Sequence, residues 1–266
     1  MPARPAITWA DLAAQAEAAH QAGNGDRALA LARAARRAGP GQAAPAFLLC
    51  ILLLERGDPE ASALLGMLDG FPGYPAGWER LGRALQPRQP AAARVAFVRA
   101  AQGYAALEAE AALSGTAHRM GVALRAAGDL PGARAALERA VARDPSLAAA
   151  WFTLGLVCQD QGDAAPAITA FQSALAARPG FHEAAFNLGV ALQEARRLDD
   201  ALDAYAAAWR LRPDSLGRIA QALASPASGR VWLHPGALQR DLFARAGAAG
   251  PAAASGGAAR PRLAGA

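Results

Sequence analysis

Residues 148–181 read AAAWFTLGLVCQDQGDAAPAITAFQSALAARPGF, and the fold turns on this stretch. Trp151, Leu154, Gly155 and Cys158 fall at i, i+3, i+4 and i+7, which places them on one face of a helix. Gln161, Gly162 and Asp163 then break that helix with a turn. Ala167, Phe171 and Ala174 mark the apolar stripe of a second helix. Pro179 stops it, because proline has no amide hydrogen and its ring collides with the preceding turn. Gly155 and Ala167 are small where helix must touch helix. A larger side chain there would force the pair apart at about 1–3 kcal/mol. The stretch is a helical hairpin.

The hairpin recurs on both sides. Gly121, Gly155 and Gly189 lie 34 residues apart, as do Ala133, Ala167 and Ala201, Ala140, Ala174 and Ala208, and Pro145, Pro179 and Pro213. One large residue, Leu137, Phe171 or Tyr205, sits between those anchors in each copy. Looser copies precede them. Residues 75–113 carry Trp78, Leu81, Gly82, Leu85, Ala93, Phe97 and Ala100, with a shorter turn at Gln86–Pro90 and no closing proline. Residues 43–74 carry Cys50, Leu53, Gly57, Ala61, Leu65, Leu68 and Pro72. Residues 9–42 carry Leu12, Ala16, Gly23, Ala28, Ala32, Ala35 and Pro40.

The Trp–Leu–Gly…Ala…Phe…Ala…Pro arrangement of residues 151–179 resembles the tetratricopeptide repeat family. The resemblance implies an all-α fold, a right-handed α-solenoid of about six hairpins at 9–42, 43–74, 75–113, 114–147, 148–181 and 182–215. It follows a lead-in at residues 1–8. A solenoid's last repeat needs a cap. The expected cap is residues 216–247, with helices at Leu216–Ala224 and Pro235–Ala246 and a turn at Ser225–Gly229. Residues 248–266, rich in Gly, Ala and Pro and nearly uncharged, are expected to be disordered.

Composition narrows the function. Hydrophobic residues make up 53% and aromatics only 6%, which favours closely packed helices over a sandwich or barrel. The net charge is +5, yet all 27 basic residues are arginine and alternate with acids along the chain. That bias reads as a GC-rich, bacterial coding sequence and not as a nucleic-acid surface. Cys50 and Cys158 stand far apart with no CxxC or Cys/His cluster, so no metal or cofactor is expected. The N-terminal residues have no apolar signal core, and the run Ala46–Leu54 is about half of the ~20 residues that span a bilayer. No membrane insertion and a cytoplasmic location are expected.

No catalytic constellation is legible. His182 and Glu183 begin an HExxH-like string, but Phe186 stands where the second histidine would be. No GxSxG, phosphate loop or dinucleotide fingerprint occurs. Asp199 and Asp200 sit at a helix start, where they are expected to cap and to complement the dipole. The chain is therefore not expected to be an enzyme.

In the tetratricopeptide family the first helices of successive hairpins line a groove that receives peptides or partner helices. The resemblance places Phe47, Ile51 and Leu54 there in the second repeat. In the third and fourth it places Arg80, Arg83, His118, Arg119, Val122 and Arg125. Phe152, Leu156, Gln159, Phe186, Asn187, Val190 and Gln193 follow in the last two. Guanidinium forks match carboxylates, so an acidic or carboxylate-terminated peptide is one expected partner, with Phe152 and Phe186 gripping apolar side chains. The plainer alternative is a solvated arginine face paired with Glu79 and its neighbours. Asn187 resembles the groove asparagines of repeats attached to O-linked N-acetylglucosamine transferases, but Thr153 and Arg119 occupy the equivalent positions, so no such ladder forms. The segment around Leu238, Leu242 and Phe243 is amphipathic and either caps the array or fills a groove. The leading expectation is an interaction scaffold. Its alternative is an accessory module recruiting substrate or partner for a separately encoded glycosyltransferase, methyltransferase or sulfotransferase.

Overall fold

The computed structural model describes residues 7–224 and 235–247. The lead-in residues 1–6, the turn expected at Ser225–Gly229 and the tail 248–266 lie outside the described residues. Among the described residues the chain is helical, with no strand. It divides into two compact units, Met1–Val157 and Cys158–Ala266.

The first unit holds four helical hairpins. They are α1 (Trp9–Gln21) with α2 (Gly25–Ala38), α3 (Ala43–Arg56) with α4 (Glu60–Met67), α5 (Pro75–Leu85) with α6 (Pro90–Glu110), and α7 (Ser114–Ala127) with α8 (Leu130–Arg143). Most of α9 (Ala148–Asp160) also belongs to it. In the second unit lie α10 (Ala164–Ala177), α11 (His182–Glu194), α12 (Leu198–Leu211), α13 (Leu216–Leu223) and α14 (Pro235–Ala246).

Local chemistry sets the helix ends. Thr8 closes a capping box on α1: its hydroxyl oxygen accepts from the Asp11 amide at 3.2 Å, and Asp11 Oδ2 accepts from the Thr8 amide at 2.9 Å. Asp129 starts α8 by accepting from the Gly132 amide at 2.9 Å. At the other end, Asp144, Arg178 and Arg212 precede the prolines of the 34-residue column. All three are extended, with φ between −140° and −145°. The proline ring excludes the helical conformation from the residue before it, so α8, α10 and α12 stop in register. The third repeat has no such proline, and α6 runs on to 21 residues where α8, α10 and α12 have 14.

Small-to-large contacts hold three of the hairpins, α5–α6, α7–α8 and α11–α12. A Cβ on Gly82 would lie 2.8 Å from the Phe97 ring, one on Gly121 2.5 Å from Leu137, and one on Gly189 2.6 Å from Tyr205. Leu137 and Tyr205 are fully buried against those backbones. The close approach admits no side chain. In the first unit Phe47 packs edge-on against Tyr74 and Trp78, with centroids 5.4 and 5.1 Å apart. Phe47 and Ile51 are therefore buried core residues, not groove residues, because α3 has apolar residues on all sides and is enclosed by α1, α2, α4 and α5. In the second unit α14 packs against α12 and α13, with Leu238 and Leu242 fully buried and Phe243 edge-on to Trp209. It lies on the second helix of its neighbouring hairpin. Asp199 and Asp200 do not cap α12, which begins after Arg197. Asp200 instead pairs with Arg197 at 2.8 Å and Asp199 with Arg245 at 3.2 Å.

Candidate functional site: the faces of the first helices

In the first unit, α5 and α7 bring a polar cluster to the surface. Glu79 is buried, and its carboxylate accepts from the Tyr104 hydroxyl at 2.8 Å and from Arg83 one turn along α5. Arg119 donates to the Tyr104 hydroxyl at 3.2 Å, and its guanidinium lies 5.9 Å from that ring's centroid. Burial, together with the hydrogen bond to Glu79, pushes the Tyr104 phenol up to about 12. The phenol is thus a fixed donor. Arg80 reaches across to Glu17 of α1 at 2.6 Å, with both side chains 43% exposed.

His118 sits beside this cluster, half-buried on α7. Its Nε2 is 3.2 Å from the Thr153 hydroxyl oxygen, and that hydroxyl donates its only proton to the Ala149 carbonyl at 2.9 Å. Thr153 can then only accept, so Nε2 carries the imidazole proton. Burial, and secondarily Arg119, hold the His118 pKa below its ordinary value. Arg125, Val122, Phe152 and Leu156 are half-buried on α7 and α9.

The second unit presents α11 and α13. Phe186 is half-buried, 5.6 Å from the Tyr205 ring, with the Arg218 guanidinium 4.6 Å over its face. Asn187 donates its amide to the Glu183 carbonyl of its own helix at 2.7 Å, a local role. Val190 is half-buried, and Gln159 reaches Glu194 at 3.5 Å. Gln193 departs from the groove assignment. It is buried, donates to the Ala222 carbonyl at 2.9 Å and accepts from the Tyr205 hydroxyl at 3.1 Å, so its amide ties α11, α12 and α13 together.

Reading the repeat frame missed Tyr104, Thr153 and Arg218. Tyr104 follows Phe97 by two helical turns, a visible signal once α6 is allowed to run past the repeat length. Arg218 lies beyond residue 215, where the frame ends and assigns no groove position. His182, flagged for its neighbour Glu183, is buried with Nδ1 2.9 Å from the Ala208 carbonyl and serves packing. The Cys50 thiol is buried and pushed up to about 12 by that burial, which removes thiolate chemistry. Among the described residues no three His, Cys, Asp or Glu side chains converge to hold a metal ion, and no helix is long and apolar enough to cross a membrane.

Stacked helical hairpins with a 34-residue frame and side chains displayed from their first helices define an α-solenoid repeat protein. Residues 118–180 and 159–215 match the tetratricopeptide repeat family model. No curated protein matches the sequence. Among solved structures, PilF of Pseudomonas aeruginosa is 16% identical with a TM-score of 0.53, over 78% of this chain and 93% of that one. A MamA RS-1 double mutant is 22% identical at a TM-score of 0.47, over 65% and 96% of the two chains. YrrB, a tetratricopeptide protein with an unusual peptide-binding site, is 20% identical at 0.46, over 69% and 93%. At these identities the likeness concerns the fold.

Proposed function

We propose that this chain is a non-catalytic interaction module that holds an acidic or carboxylate-terminated peptide, or a partner helix, on the faces of its first helices. The observation that carries this reading is the charge arrangement on α5 and α7. One buried acid, Glu79, is locked by Tyr104 and Arg83, Arg119 meets the same Tyr104 hydroxyl, and Arg80 and Arg125 lie on α5 and α7. The Arg83 side chain is 60% exposed, and the Arg80–Glu17 pair lies at the surface. Exposed ion pairs are worth about 0–1 kcal/mol, so a partner's carboxylate can replace Glu17 at little cost. Phe152 supplies an apolar contact on the same unit. The cations are all guanidiniums interleaved with acids, which fits paired carboxylates better than a phosphate track.

The test is affinity capture with the tagged full-length protein beside an Arg83→Glu/Arg125→Glu variant, read by mass spectrometry. A dominant protein partner should be captured by the parent and lost from the variant, with far-UV circular dichroism unchanged. Undiminished capture by the folded variant would overturn the reading.

A further inference from the structure

Arg218 differs from Arg80 and Arg83 of the first-unit face in having no acid of its own. All 22 Asp and Glu residues fall within the described residues, and none forms an ion pair with Arg218. Its guanidinium instead lies 4.6 Å over the Phe186 ring. The two acids of α11 are engaged elsewhere: Glu183 with Arg212 at 3.3 Å, and Glu194 with the Gln159 amide at 3.5 Å.

This stack is held in place. Gln193 fixes α13 to α11 through the Ala222 carbonyl, one turn beyond Arg218, and Tyr205 supports both the Gln193 amide and the Phe186 ring. Stacking occupies the plane of a guanidinium and leaves its N–H donors pointing outward along the edge. A pre-oriented fork whose donors meet no acceptor among the described residues, on an exposed residue over half-buried Phe186, matches a carboxylate next to an apolar side chain. Holding the arginine in place beforehand also reduces the ordering that binding requires.

We infer that Arg218, stacked on Phe186, is a carboxylate-recognition site for an acidic peptide segment docking on the α11–α13 face. The inference rests on the peptide-holding reading above and adds to it a contact on the second unit.

The experiment follows the arginine Nε–Hε resonances of the full-length protein by NMR, with Arg218 assigned by the signal that disappears in Arg218→Lys. The probes are an acetylated, amidated pentapeptide alternating glutamate and phenylalanine, and its glutamine counterpart. The glutamate peptide should shift the Arg218 signal and bind about tenfold tighter than the glutamine peptide. That preference should vanish in Arg218→Ala and return only in part in Arg218→Lys, with unchanged circular dichroism in both. An unmoved Arg218 signal, equal affinity for the two probes, or a preference that survives in Arg218→Ala would each overturn the inference. Equal binding of both probes leaves peptide holding intact and removes only the Arg218 site. A glutamate-selective Arg218 response alongside capture indifferent to Arg83→Glu/Arg125→Glu would remove the first-unit reading and keep this one.

Discussion

Arg196 is the only non-glycine residue with positive φ among the described residues, at 60°. Its amide donates to the Gln193 carbonyl at 2.9 Å as α11 ends. The same turn is made in other repeats by Gly23, Gly57, Gly128 and Gly162, with φ between 70° and 90°. Gly128, Gly162 and Arg196 are again 34 residues apart, so the sequence carries this column, but a column of one conformation with two residue types is invisible to a search for identity. A side chain in the left-handed region costs about 1–2 kcal/mol, and glycine's extra freedom in the unfolded chain returns roughly half of that. Arg196→Gly should therefore stabilise the protein by about 0.5–1 kcal/mol. Urea titration checks it: the midpoint should rise at constant slope, and an unchanged or lower midpoint would show that the turn is unstrained.

Helix α6 shows what a repeat frame conceals at the scale of elements. Past the expected length it continues through Tyr104 and Glu108, and those two residues attach it to α5 and α8. Glu108 is buried at the side chain and accepts from Arg139 at 3.1 Å and from Arg143. The Arg139 hydrogen bond, ahead of Arg143, holds its carboxyl below the ordinary value of 4.5. A carboxyl lowered in the folded state contributes stability fully present above its unfolded pKa and lost as pH falls through its folded pKa. Because both arginines are partly exposed, Glu108→Gln should cost only about 1 kcal/mol at pH 7. The deficit should shrink below about pH 4.3, where the unfolded parent takes up the proton. Denaturation of both proteins at pH 7 and at pH 3 would show this, and a constant deficit would mean that packing, not charge, is lost. The all-helical class and the helices of residues 114–215 were legible because proline, alanine and glycine recur at fixed positions. Exposure was less legible: Phe47, Ile51 and Gln193, expected on an open face, are buried, since exposure depends on neighbours that no local period encodes.

At the scale of the whole molecule, charge is the property that packing does not consume. The chain carries 27 arginines against 22 acids, and many of those acids are already spent on exposed intramolecular pairs such as Arg33–Glu60, Arg56–Asp26 and Arg80–Glu17. The surplus is formally +5 and composed entirely of guanidiniums, so an acidic partner meets attraction before it meets any contact. Electrostatic range is about 30 Å at 0.01 M salt and about 3 Å at 1 M. Raising salt between those limits should slow association of the glutamate peptide about tenfold or more. Dissociation should change far less, because the stacked Arg218 and its ring are in place before the peptide arrives. The folded state should hardly respond, since exposed pairs contribute about 0–1 kcal/mol each and are screened with little net loss. Stopped-flow association rates across a salt series, beside thermal unfolding in the same buffers, separate the two. A salt-independent association rate would mean that apolar contact with Phe152 or Phe186 drives binding, and that the guanidiniums serve only the fold.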